Sequence, residues 1–225
     1  MTLEELKEIM VADADKNTND IGLDSSFFEN PFNNKYIDMK KVREDLHVNK
    51  YLTVAELFDA FCIATARDIQ CEYKGMKPAM RLSLIDGIYF CNWLNEVAGL
   101  PPVYILTMYE NEYWIWENPQ TMNGPRPFRL MTQDDYKAAT HEINPDTGQP
   151  YIYAGSDNAD EVAWHSGNSG GQPHDVGMLK PNGFGIYDLS GLAGELVFQQ
   201  RPPYMTEEIW PTYFPGKKYL DFKPY

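Results

Sequence analysis

Apolar residues in the first 140 positions recur at helical spacing in four places, and beyond them the period disappears. Leu3, Leu6, Ile9 and Met10 share one helical face behind Thr2-Leu3-Glu4-Glu5, a capping-box sequence, so the spacing predicts a short amphipathic helix over residues 3–12. A second box, Thr53-Val54-Ala55-Glu56, opens a helix whose Leu57, Phe58, Phe61 and Cys62 point inward. Ser83 caps a third helix through Val97, with Ile85, Tyr89 and Trp93 four apart, until Gly99 and Pro101-Pro102 stop it. Thr132 caps the fourth, which ends near Ala139. Between the third and fourth, β-branched and aromatic residues surround the polar Glu110-Asn111-Glu112 break. This predicts a β-hairpin with Tyr113, Trp114, Ile115 and Trp116 in its second strand.

After the turn Asn144-Pro145-Asp146-Thr147-Gly148 comes a stretch with neither period, Tyr153 to Val197. Its nine glycines, with Asn, Asp and Ser between them, supply turns, while Val162, Trp164, Val176, Ile186, Tyr187 and Leu189 supply anchors for a core. Such a segment reads as coil that is pinned in place, since a disordered linker lacks the anchors. Helices first and coil afterwards imply an α+β module and not a βαβ repeat. The tail, residues 201–225, is dense in Pro and aromatics and is expected to wrap across the domain as an extended segment.

The quoted coil also carries a resemblance. "SDNADEVAWHSGNSGGQPHDVG" followed by "KPNGFGIYDLSG" resembles the formylglycine-generating enzyme (sulfatase-modifying factor) family, and "RLSLIDGIYFCNWLNEVAGLPPVY" and "FRLMTQDDYKAA" are similar to two of its upstream segments, in the right order. The match runs from about Met80 to Val197. The resemblance implies a C-type-lectin-like α+β fold, loop-rich, with a small antiparallel sheet and several helices. Expected borders are an N-terminal helix and irregular extension over 1–50, the family-like core over 51–200, and the tail over 201–225.

For chemistry the resemblance implies both a loss and a retention. Active members carry a redox cysteine pair near the C-terminus, used with copper, whereas no cysteine follows Cys91 here. Soft-metal chemistry needs sulfur, so no catalytic residue and no copper are expected. In the family an acid or amide, two backbone carbonyls and a Glu bind calcium, and the matching positions are Asp188, Gly191, Ala193 and Glu195. A second calcium site corresponds to Asn168 and Ser169. A hard cation wants six to eight oxygens, and a tight loop can turn carbonyls inward between carboxylates.

Charge removes other classes. Lys and Arg number 19 against 33 Asp and Glu, a net charge of −14, which argues against a nucleic-acid partner that would need a basic stripe. No apolar run is long enough to span a membrane, and the first ten residues do not form a signal peptide, so the chain as given is expected in the cytoplasm, or exported if a leader has been removed. The Asn- and Asp-rich stretch from Asp13 to Asn34 misplaces its Gly for an EF-hand. Cys62, Cys71 and Cys91 lack metal-site spacing and read as buried thiols.

His165, His174 and Asp175 can be drawn as a zinc triad, but their separation in a loop fixes no geometry. Ser166 and Ser169 lack the elbow of a hydrolase nucleophile. Trp93 and Trp164 are expected to be buried, which leaves Trp210, Tyr204, Tyr213, Trp114 and Trp116 to line a groove for a protein, small-molecule or glycan ligand. The reading is therefore a catalytically silent family member used for binding. Its alternatives are a related enzyme with reassigned active-site residues and a structural subunit of a larger assembly.

Overall fold

The computed structural model describes residues 34–109, 112–118 and 127–198. The helix expected over 3–12 and the tail, with Tyr204, Trp210 and Tyr213, lie outside the described residues. The order of elements is β1 (Met39–Arg43), β2 (Leu46–Asn49), α1 (Ala55–Ala64), α2 (Leu84–Val97), β3 (Tyr104–Tyr109), β4 (Glu112–Glu117), α3 (Gln133–Thr140) and α4 (Ala159–Val162). Two two-stranded antiparallel sheets form among these residues, β1 with β2 and β3 with β4, beside isolated antiparallel bridges. By contacts the chain forms two compact units: residues 34–83 with 131–197, and the described residues between 84 and 130 with Phe198.

In the first unit, helix α1 starts without the expected box. Val54 is its N-cap and no side chain caps it. Its open N–H groups are met by tertiary partners instead: Ala55 donates to the Lys77 carbonyl at 2.7 Å and Glu56 to that of Gly75 at 3.1 Å. The Glu56 carboxylate is thereby free to accept from the Tyr36 hydroxyl at 2.7 Å. Helix α3 does carry the box, with Asp135 donating its N–H to Thr132 Oγ1 and its carboxylate accepting from the Thr132 N–H at 3.0 Å. Asp135 is also paired with Arg43 at 3.0 Å, which ties β1 to α3.

Leu46 and Val48, alternate residues of β2, are buried with Ala139, Ala154, Ile186 and Leu189. The aperiodic coil thus packs on the hairpin and helix through aliphatic side chains, and its backbone is held by side-chain amides. Asn182 shows the device: Nδ2 donates to the Ala139 carbonyl at 2.7 Å, and Oδ1 accepts from Phe184 and Ile186. A buried amide that satisfies three backbone groups replaces a strand ladder at this point.

In the second unit α2 runs as expected and ends at Gly99 (φ 69°). Asn95, fully buried, exchanges hydrogen bonds with the Phe128 backbone, and Asn92 does the same with Tyr104. The expected hairpin is present as β3 and β4, with Tyr104 opposite Glu117 and Leu106 opposite Ile115. Ile88, Cys91, Val103, Tyr104 and Phe198 form its core.

Candidate functional site

Residues 160–195 concentrate the polar groups singled out in the sequence, all within the first unit. Their segment turns sharply at Asp188, one of four non-glycine residues at positive φ (61°) among those described. Aspartate tolerates this region better than most residues, and here it gains a hydrogen bond from Gly177 N–H to Oδ2 at 2.7 Å. Tyr136 clamps the next residue, donating its hydroxyl to the Leu189 carbonyl at 2.6 Å. Ser190 Oγ then accepts from Ala154 N–H at 3.0 Å.

Gly191 follows at φ 93°, where a Cβ would overlap the Trp164 carbonyl. That carbonyl accepts from Leu192 N–H at 2.9 Å, and Ala193 N–H turns back to the Gly191 carbonyl at 2.7 Å. The chain is thus coiled tightly between Asp188 and Glu195, and its two carboxyls come close enough to feel each other. Burial pushes the Glu195 carboxyl up to about 7, with the Asp188 charge adding to the rise. Asp188 is raised by burial too, against the opposing bond from Gly177. The Glu195 charge in turn adds to the burial that raises the Tyr136 phenol. A pair of carboxyls with raised affinity for protons is electrostatically uncompensated, and a cation placed between them relieves that penalty.

Hard oxygen donors of this kind suit calcium and not a soft metal. Among the described residues no group of three or more His, Cys, Asp and Glu could hold a metal ion, so Asp188 and Glu195 would need main-chain oxygens to complete a shell. Gly191 and Ala193 are the positions the resemblance implies for them, and the Gly191 carbonyl already accepts from Ala193 N–H.

The neighbouring loop is built differently. Asn168 Oδ1 accepts from His165 N–H at 2.8 Å and Nδ2 donates to the Ala163 carbonyl at 3.0 Å, while the Ser169 carbonyl accepts from His174 Nε2 at 3.0 Å. These oxygens fasten the turn. His165 Nδ1 accepts from Gly167 N–H at 3.1 Å, which puts the ring proton on Nε2, 2.8 Å from Asp160 Oδ1. Asp175 pairs with Lys77 at 3.1 Å. The drawn triad of His165, His174 and Asp175 is therefore spent on separate partners.

Of the two tryptophans expected inside, Trp93 is buried at 2% exposure, whereas Trp164 is half-buried. The reason is visible in its ring, which stacks on the His174 imidazole at 3.7 Å and 16°, so that one face is covered by a loop residue and not by core. Its Nε1 is shielded and without a hydrogen-bond partner. Trp114 and Trp116 fall in β4, opposite Thr107 and Ile105, and their side chains lie outside the described residues. All three cysteines are buried. The Cys71 and Cys91 thiols are both pushed up to about 12, chiefly by burial.

The model of the sulfatase-modifying factor enzyme 1-like domain matches residues 33–219, extending the resemblance well beyond Met80 at one end and Val197 at the other. A chaperone protein, LppX of Paenibacillus barcinonensis, is 28% identical over 204 residues, which cover 78% of this chain and 70% of that protein. Similar solved structures include CarF (22% identity, TM-score 0.49, 68% of this chain and 71% of the other). Treponema denticola variable protein 1 is another (18%, 0.44, 66% and 64%), as is PvdO from Pseudomonas aeruginosa (18%, 0.41, 64% and 52%).

Proposed function

Because the chain belongs to the sulfatase-modifying factor enzyme 1-like domain family and has its C-type-lectin-like α+β fold, we propose that it is a catalytically inactive member, acting as a ligand- or protein-binding domain. The observation that carries this reading is the state of its sulfur. Oxidation of a substrate thiol in this family's manner needs enzyme thiolates that reach solvent or copper, and a thiol raised to about 12 by burial is neutral at physiological pH. Cys62, Cys71 and Cys91 sit at 3%, 4% and 5% exposure. The name of the Paenibacillus relative, a chaperone protein, agrees with a binding use.

Calcium is the cation we propose for Asp188, Gly191, Ala193 and Glu195. It would neutralise the carboxyl pair and fix the coil whose outer face meets the ligand. Asn168 and Ser169 form a weaker second site, since their oxygens would have to be shared with the turn they already hold. A protein or small-molecule ligand is proposed as partner, with the five aromatics Trp210, Tyr204, Tyr213, Trp114 and Trp116 as contact candidates.

The test is direct. Oxygen uptake with a cysteine-containing peptide and Cu(I) is expected to stay at background, and turnover that depends on any of the three cysteines would refute the reading. In parallel, calcium should raise the melting midpoint of the wild type and leave Asp188→Asn unmoved, while equal shifts in both would remove these ligands.

A further inference from the structure

Resting on the reading of the chain as a binding module, we infer that the ribbon formed by residues 142–152 is its docking surface for a partner protein segment in which basic residues flank aliphatic ones. Ile143 and Pro150 are bridged antiparallel, with Asn144 N–H bonded to the Gln149 carbonyl at 2.8 Å and Tyr151 N–H to that of Glu142 at 3.0 Å. These bonds bracket the bridge, so Ile143 and Pro150 are a non-hydrogen-bonded pair. Their side chains stand close together on one face, and proline costs nothing because no N–H is needed there. Pro150 is exposed, Ile143 is 54% exposed and Ile152, two residues further on, is 72% exposed.

The other side of the ribbon faces its own unit. Glu142, adjacent to Ile143 and so directed oppositely, accepts from Gly183 N–H at 2.7 Å. The ribbon is also rigid: Asn144, 7% exposed, donates from Nδ2 to Asp157 Oδ2 at 2.9 Å, and Asp157 Oδ1 accepts from Ile152 N–H at 2.9 Å. An aliphatic pair held on a pinned turn loses little entropy on binding, the property that makes a surface useful for recognition.

Charge selects the partner. Asp146 in the turn and Asp157, which accepts from the Ile152 N–H, are exposed carboxylates beside the ribbon, and neither pairs with a cationic side chain among the described residues. A second copy of a chain with net charge −14 would set like charges against them, whereas lysine or arginine beside aliphatic residues would complement both features.

The probe is a labelled peptide alternating lysine with valine, with a glutamate-for-lysine peptide as control, followed by fluorescence anisotropy on the full chain. Wild type is expected to bind the basic peptide and not the acidic one. Ile143→Ser with Ile152→Ser should weaken binding about tenfold at an unchanged melting midpoint. Asp146→Lys, a change at an exposed turn position, should weaken it about threefold and flatten its salt dependence. Failure of the wild type to prefer the basic peptide overturns the inference, as does full affinity in both variants. Sedimentation showing a dimer that the double serine variant abolishes would also overturn it, in favour of self-association. The binding-module reading fails separately, by turnover of the cysteine peptide.

Discussion

Glu195 shows how one residue's surroundings set its role. Its folded-state carboxyl is raised from 4.5 to about 7 by burial and by Asp188, so the metal-free folded state holds the proton more tightly than the unfolded chain does. The stability this contributes is complete below the unfolded value and is lost as pH rises through the folded one, each tenfold in proton affinity being worth about 1.4 kcal/mol. With a chelator present, the melting midpoint of Glu195→Gln should therefore decline less than that of wild type between pH 5 and 8. Parallel profiles would show that Glu195 does not titrate differently on folding. Gly191 makes the complementary case through sterics: alanine there would meet the Trp164 carbonyl at a φ of 93°. Gly191→Ala is expected to cost about 2–4 kcal/mol in urea unfolding, and a change under about 0.5 kcal/mol would mean that the backbone relaxes freely.

At the scale of elements, the same motif has different fates in two helices. Thr132 closes a reciprocal box in α3, so Thr132→Ala should cost about 1 kcal/mol; Thr53→Ala should be close to neutral, because α1 is capped by the carbonyls of Gly75 and Lys77. Denaturant midpoints of the two variants decide this, and equal losses would contradict it. The comparison also marks what sequence can convey. Helix α2 and the β3–β4 hairpin were legible from an apolar stripe and from β-branched and aromatic runs, and the short α3 from its Thr132 cap. The β1–β2 hairpin was not, because Met39–Arg43 reads MKKVR, and only Leu46 and Val48 of β2 reach the core. At the candidate site, the positions of Asp188 and Glu195 could be read from the resemblance. Their mutual electrostatic pressure could not, since it arises from burial that only the folded coil creates. The exposed Ile143–Pro150 bridge likewise depends on a backbone register that no apolar period announces.

Across the molecule, each unit carries its own thiol reporters: Cys62 and Cys71 in the unit of α1, Cys91 in that of α2. A disulfide reagent attacks only thiolate that has reached solvent, so at pH 8 labelling of the native chain must follow opening of the structure. All three should react slowly in buffer and at once in denaturant. If calcium binds the folded coil between Asp188 and Glu195 and not the open chain, it lowers the open population by the binding factor, about 100-fold at a concentration of 100 times Kd. In a Cys91→Ser chain, where only Cys62 and Cys71 remain, calcium should slow labelling by that order, and Glu195→Gln should abolish the protection. Labelling rates indifferent to calcium at every concentration would separate the two carboxyls from any metal and leave their strain as a cost of the coil itself.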